Sequence, residues 1–411
     1  MFRRPGRTME AGRQNMNDEY AFRTNNVQWR TSMQKAGINW SVCCAVAFIW
    51  FTTQFGGGFA SGRQIIDYFV FYGWYAVFTP VLAQALMAII FYFVLKMAFQ
   101  HRLRNYSEYT KKLYGRAGSV MCPLFELIFN LTLCVATAVA FATGGSTLTE
   151  VTGIPYIVST LIIALIMFVL TIFGYQLVQK AATLMSVFIV AGMLVVFVPN
   201  ILHFSDSFGA NFTALEEQSK PLGTAMWVMF LYVAFQVPAL GAYVAHVKSF
   251  SNEREIGWSM FIGFLVNSAM IMLTGIGMMA IYTVPGTLTD PLPILVMVKN
   301  GVGADILRPV ISALIFLGAL STGVSFVYGI VNRLTDWVGR NDTPEVQNAK
   351  ARSRSMLFSL LYIVLTFSIA QFGLIPLVAK GYSYCGMGAI FIVIIPVLLR
   401  QFVFRVETSE R

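Results

Sequence analysis

The sequence predicts an all-α integral membrane protein whose ten transmembrane helices form a 5+5 inverted repeat, with helices 1 and 6 broken. Three observations carry this. Of 411 residues, 57% are hydrophobic and only 12% are charged, about half the charge of a soluble chain. The apolar residues fall in blocks of about twenty, the length that crosses a hydrocarbon core of about 30 Å at 1.5 Å per residue. Two of these blocks are interrupted, about half the chain apart, by residues that helices disfavour.

Residues 1–37 come first and are polar and Arg-rich, with Arg3, Arg4, Arg7, Arg13, Arg23, Arg30 and Lys35. No apolar run precedes Ile38, so no cleavable signal is expected. The segment reads as a disordered basic cytosolic tail that touches anionic lipid. The first five apolar segments follow at about 38–72, 75–99, 118–145, 154–174 and 181–203. Residues 204–221 form an extracytoplasmic connection, and the second five lie at about 222–247, 255–283, 305–332, 354–372 and 376–400. Residues 401–411 make a second cytosolic tail.

Ten spans place both termini on one side, and the basic residues say which. Of 29 Lys and Arg, only Lys220, Lys299, Arg308 and Lys380 fall on the outer face; Arg63 lies inside a span, and the other 24 are in or beside cytosolic segments. This is the positive-inside pattern of a multi-pass protein of the plasma (inner) membrane with both termini cytoplasmic. The net charge of +10 is then an orientation signal that needs no nucleic acid. The expected partners are the lipid bilayer and a small-molecule substrate; nothing in the sequence sets an oligomeric state.

Residues 38–72 as one straight helix would run about 52 Å, too long for an unbroken span. Near the middle lies Gln54-Phe55-Gly56-Gly57-Gly58-Phe59-Ala60-Ser61-Gly62, where each glycine costs about 1 kcal/mol relative to alanine. A half-helix, an unwound stretch and a second half-helix starting near Phe59 are expected. Unpaired backbone at membrane depth is tolerated only where it lines a cavity or is buried in protein. The alternative is a close helix contact through small residues. The sixth span carries Phe235-Gln236-Val237-Pro238-Ala239-Leu240-Gly241, where proline removes a donor and clashes with the preceding turn. Paired interruptions of this kind point to the binding site in transporters built from inverted repeats.

Gly58-Phe59-Ala60-Ser61-Gly62, Thr143-Gly144-Gly145 ending the third span, and Ser321-Thr322-Gly323 with Val327-Tyr328-Gly329-Ile330-Val331-Asn332-Arg333 in the eighth resemble the YkvI-type bacterial membrane protein family, over about residues 38–400. That family lies in the amino acid-polyamine-organocation superfamily. The resemblance implies a leucine-transporter-like five-plus-five fold and proton- or sodium-coupled movement of small solutes. The chain departs from the family pattern at Arg63-Gln64, where Gln-Glu is typical, so any role of that glutamate is absent.

A half-helix opening at Gly57 to Ser61 would turn N–H groups and the positive end of a helix dipole toward an anionic group such as a substrate carboxylate. Gly56, Gly57, Gly58, Phe59, Ala60 and Ser61 are therefore candidate substrate-binding residues, with Phe235, Gln236 and Gly241 across the pocket, although Phe235 reads more simply as core. Arg63 is a cation well inside a span, which costs roughly 3 kcal/mol or more. It is either a gating or substrate-facing charge or the i,i+4 partner of Asp67. Glu126, with Asn130 one turn on, is a candidate proton carrier or gate partner with its carboxyl raised by burial, or a satisfied structural carboxylate.

Ser321 and Thr322 are adjacent hydroxyls. The resemblance makes them candidate Na+ ligands, with first-span carbonyls near Phe51 to Gln54 opposite; hydroxyls also knit membrane helices together. Lys180 offers another proton route or an interfacial anchor. Thr289 to Lys299 reads as an outer loop with two prolines, a re-entrant lid if the implied fold holds. Na+ apart, no cofactor is expected, and the five cysteines and three histidines show no ligand spacing. The function this supports is secondary active transport of an amino acid or related carboxylate or amine, by symport with Na+ or H+. A non-transporting sensor or scaffold of the same fold is the alternative, and a channel a weaker one, for no filter motif or ring of charge is present. No nucleophile elbow, HExxH or phosphate loop points to an enzyme.

Overall fold

The computed structural model describes residues 37–103 and 105–402. The expected basic tail, but for Gly37, and residues 403–411 lie outside the described residues, as does the side chain of Lys180.

The first apolar segment forms three short helices, α1 (Trp40–Gln54), α2 (Gly57–Ala60) and α3 (Arg63–Tyr68). Two 3-10 turns lead to α4 (Thr79–Gln100), followed by a short polar helix α5 (Tyr106–Tyr114) and the long α6 (Gly118–Thr152). Next come α7 (Tyr156–Gly174), which ends in a π turn, and α8 (Tyr175–His203). The chain then bends by 85° into α9 (Ser205–Glu217). The second half holds α10 (Leu222–Gln236), a 3-10 turn at Val237–Ala239, α11 (Leu240–Val244), α12 (Glu253–Ala280), α13 (Pro293–Asn300), α14 (Ala304–Gly339) and α15 (Pro344–Ala370). It closes with α16 (Leu374–Phe402). Among the described residues eight helices are long and apolar enough to cross a membrane, nine if the bent pair counts as one span, and α1 is a shorter apolar helix. The molecule is an all-helical, multi-pass membrane protein.

Two sequence expectations need correction, and the connection at 204–221 takes a definite form. The third helix continues past Thr143-Gly144-Gly145 to Thr152, because these glycines are a packing surface rather than a stop: a Cβ on Gly145 would lie 2.2 Å from the Thr160 methyl of α7. The connection at 204–221 is mostly helix α9. Residues 293–300 of the expected loop are helical, since Pro293 sits in the first turn, where its missing N–H is not needed.

Lipid chains are as apolar as leucine, so helices here are held by close packing and polar contacts. A Cβ on Gly386 of α16 would meet the Leu231 carbonyl of α10 at 2.9 Å, and one on Gly263 of α12 would meet the Trp50 ring of α1 at 2.5 Å. The two ends are tied by polar groups. At the end bearing most basic residues, the buried Glu255 accepts from the backbone N–H of Asn39 at 3.0 Å and of Ser251 at 2.6 Å, which fixes the start of α1 to the start of α12. At the opposite end Glu150 of α6 pairs with Lys299 and, at 3.1 Å, with Arg308. There Asn211 of α9 also holds Ala280 O and Thr283 N at 2.9 and 2.8 Å.

Candidate functional site

The first helix is broken twice. α1 ends at Gln54, with the Phe55 N–H still bonded to Phe51 O at 3.0 Å, so one of the carbonyls expected to face a cation is already in use. After Gly56 the four-residue α2 closes through Phe59 and Ala60 N–H bonds to Gly56 O, both 3.0 Å. A second interruption follows at Gly62, whose φ of +82° is a left-handed conformation that glycine adopts without a Cβ penalty. The expected single half-helix from Phe59 is thus replaced by α2 and α3, because Ser61 turns the chain: its hydroxyl donates to Gly58 O at 2.9 Å and accepts from Arg63 N at 3.2 Å.

These contacts place the glycine-run candidates. Ser61 and Phe59 are fully buried, and Phe59 continues a ladder of rings from Phe51 through Phe55 with centroids 4.2 and 3.9 Å apart. A Cβ on Gly58 would lie 2.8 Å from Gln64 Nε2 and 3.2 Å from Val139 of α6. Ala60 faces α14, 4.0 Å from where Gly318 would carry a Cβ. Gly56 looks across at Thr322, whose methyl and hydroxyl would lie 3.3 and 3.6 Å from a Cβ there. Thr322 therefore meets the first break itself, one turn beyond where the Phe51 to Gln54 carbonyls were expected to face it. Neither the Ser321 nor the Thr322 hydroxyl finds a hydrogen-bond partner among the described residues, whereas Ser325 donates back to Ser321 O at 2.8 Å.

The sixth-span interruption takes the form of a 3-10 turn at Val237–Ala239, tightening the helix rather than unwinding it. Phe235 stacks on Tyr382 with centroids 4.3 Å apart and planes at 7°, so it is packed between α10 and α16. Gly241 sits apart from the glycine run, 3.5 Å (to a built Cβ) from Tyr106 of α5. Gln236 borders the hydroxyl of Tyr232, which also accepts from Gln54 Nε2 at 2.8 Å and is bordered by Gln84 of α4. Gln84 and Tyr232 are not among the residues expected from the sequence; a glutamine in an apolar helix is the signal that marks Gln84.

Two charged clusters flank this centre. Nearer the lysine-poor end, Arg63 binds Asp67 through Nε (3.0 Å) and Nη2, and its Nη1 donates to Leu288 O and Asp290 O at 2.9 and 3.2 Å. With Ile294 N donating to Ser61 O at 3.3 Å, this pins the segment before α13 over the second break. At the basic end, the Arg333 guanidinium of α14 lies 4.8 Å from the Tyr106 ring and 4.4 Å from the Phe129 ring, a cation–π stack. Glu126 is half-buried beside Tyr106, and its backbone carbonyl accepts from Asn130.

Clefts of about 330 and 400 Å³ open at the lysine-poor end, one lined by Lys299, Asp305 and Arg308, the other by Glu150, Tyr156, Asp290 and Gln371. Neither is lined by the glycine run.

The overall fold is similar to those of solved membrane transporters. The chain is similar to a substrate-bound Na+-coupled sialic acid symporter in its outward-open state, with a TM-score of 0.51 and 14% identity over 89% of this chain and 98% of that one. It is similar also to a mutant manganese transporter of Eremococcus coleocola, with a TM-score of 0.50 and 10% identity over 89% of this chain and 80% of that one. At these identities the likeness is one of fold. No family model matches the sequence, and no curated protein is similar to it.

Proposed function

We propose that the chain is a secondary active transporter of a small organic solute, an amino acid or a related carboxylate or amine, working by alternating access with Na+ or H+ as the coupling ion. In this reading the helices form ten spans in two inverted sets of five, residues 38–203 and 222–400, with α1 to α3 as one broken span and both termini in the cytosol. The resemblance to the YkvI-type family and its superfamily belongs to the same proposal.

The observation that carries it is the doubly interrupted first helix, buried against α6 and α14, with Thr322 facing the break at Gly56. Backbone broken at such depth is retained where it lines a site, and the fold shared with a sialic acid symporter and a manganese transporter supports a transport role. Among the described residues no three His, Cys, Asp or Glu side chains gather as a divalent metal would need, which favours an organic solute. The hydroxyls of Ser321 and Thr322, lacking other partners, are candidate Na+ ligands. Arg63 would gate from one side, and Glu126 with Arg333 from the other.

Proteoliposomes given amino acids under imposed Na+ or H+ gradients should concentrate the substrate. Flux that ignores both gradients and outpaces carrier turnover would identify a channel; ligand binding without flux would identify a sensor. Replacing Ser321 and Thr322 together by alanine is expected to abolish any Na+ dependence while leaving the fold intact. Retained Na+ dependence in that variant removes them from the ion site.

A further inference from the structure

Four polar side chains from three helices converge in the interior beside the first-helix break. Gln54, the last residue of α1, donates from Nε2 to the Tyr232 hydroxyl at 2.8 Å. Gln84 of α4 and Gln236 of α10 border the same hydroxyl, and no charged side chain does so among the described residues. Gln84 is fully buried, yet neither atom of its carboxamide makes a hydrogen bond of good geometry, its approach to the Tyr232 hydroxyl included, and Gln54 Oε1 makes none either. Buried polar groups are nearly always paired, so three unpaired atoms in one place call for an explanation. Whichever way its carboxamide is turned, Gln84 offers one donor and one acceptor. Having accepted from Gln54, Tyr232 keeps its own proton to donate.

A bare cation here would face the amino group of Gln84, and a bare anion would face the carbonyl oxygens of Gln54 and Gln84. A neutral group carrying both a donor and an acceptor leaves none of them unpaired. We propose that Gln54, Gln84, Tyr232 and Gln236 form a subsite for a neutral donor–acceptor group of a small solute, a primary carboxamide or ureido group. This deepens the transporter reading and rests on it for the identity of the solute as cargo. The carboxylate or amine of the solute would lie toward the glycine run and its carboxamide among the glutamines.

The test uses the full chain purified in detergent and the probes L-glutamine and L-asparagine, with L-glutamate and L-aspartate as matched charged controls. Equilibrium binding should favour the carboxamides. Gln84→Met should weaken their binding about tenfold or more, as expected for a lost pair of neutral hydrogen bonds, while leaving the melting temperature of the ligand-free protein unchanged or higher. If that variant fails to fold, Tyr232→Phe, which keeps the ring, is read in the same way. Undiminished binding in the folded variant overturns the proposal, as does a preference for the carboxylates, a stabilising shift by sodium or chloride that Gln84→Met abolishes, or the absence of carboxamide binding to the wild type. Carboxamide binding without uptake in vesicles would instead sink the transport reading and leave the subsite standing.

Discussion

Arg63 shows how one buried charge is accommodated among apolar helices. Four of its five donors are used, two by Asp67 and two by carbonyls of the segment before α13. The side chains are 3% and 7% exposed, so removing one partner strands the other in a dry site. Arg63→Met is expected to cost about 3–5 kcal/mol of stability, and Arg63→Met combined with Asp67→Leu distinctly less; thermal unfolding across the double-mutant cycle measures both. Equal losses in the single and double variants would mean that the guanidinium acts through the carbonyls alone.

A second residue gives a pH signature. His101 lies just beyond α4, and burial, with Lys112 and Arg400 nearby, holds its imidazole below the ordinary value of 6.5. The folded protein therefore binds fewer protons than the unfolded chain at mildly acid pH. This contribution to stability is fully present above about 6.5 and is lost as pH falls toward the folded value. His101→Gln should flatten the loss of melting temperature between about pH 7 and 5.5.

Among elements, the α10–α16 contact decides where the glutamine cluster sits. Gly386 lets the two backbones approach so closely that a methyl group would press on the Leu231 carbonyl and, at 3.3 Å, on the Phe235 nitrogen. Backbone cannot move aside as a side-chain tip can, so Gly386→Ala should destabilise by about 1–3 kcal/mol. Gly329 of α14 has nothing within 4 Å of a built Cβ, and Gly329→Ala should be neutral or stabilising by up to about 1 kcal/mol. Melting temperatures of the two variants check this, and equal effects would refute the packing argument. The same logic explains the elements that sequence reading misjudged. Gly144 and Gly145 looked like a helix end but serve a crowded interface, and the polar run at 205–217 forms a helix because Asn211 is anchored to Ala280 and Thr283.

For the whole molecule, the segregation of basic residues is a claim about orientation. It is testable by cysteine labelling of intact cells: a cysteine at the exposed Val302 is expected to react with an impermeant reagent from outside, and one at Asp342 only after permeabilisation. The reverse pattern would invert the proposed topology and with it the direction in which Arg63 and Arg333 gate.

Composition and block length by themselves determined that the chain crosses a membrane as helices, because no other use of so much apolar and so little charged sequence is compatible with water. The glycine run and Pro238 likewise marked where helices had to break, since backbone propensity is local. Which atoms gather at those breaks is a property of packing between segments far apart in the chain. Only the tertiary structure decided that Phe59 and Phe235 are packed among other rings, that Thr322 meets Gly56, and that Arg63 clasps the segment at 288–290. It alone brought Gln54, Gln84 and Tyr232 together, because each looks like an isolated polar residue until three helices place them in one dry cluster.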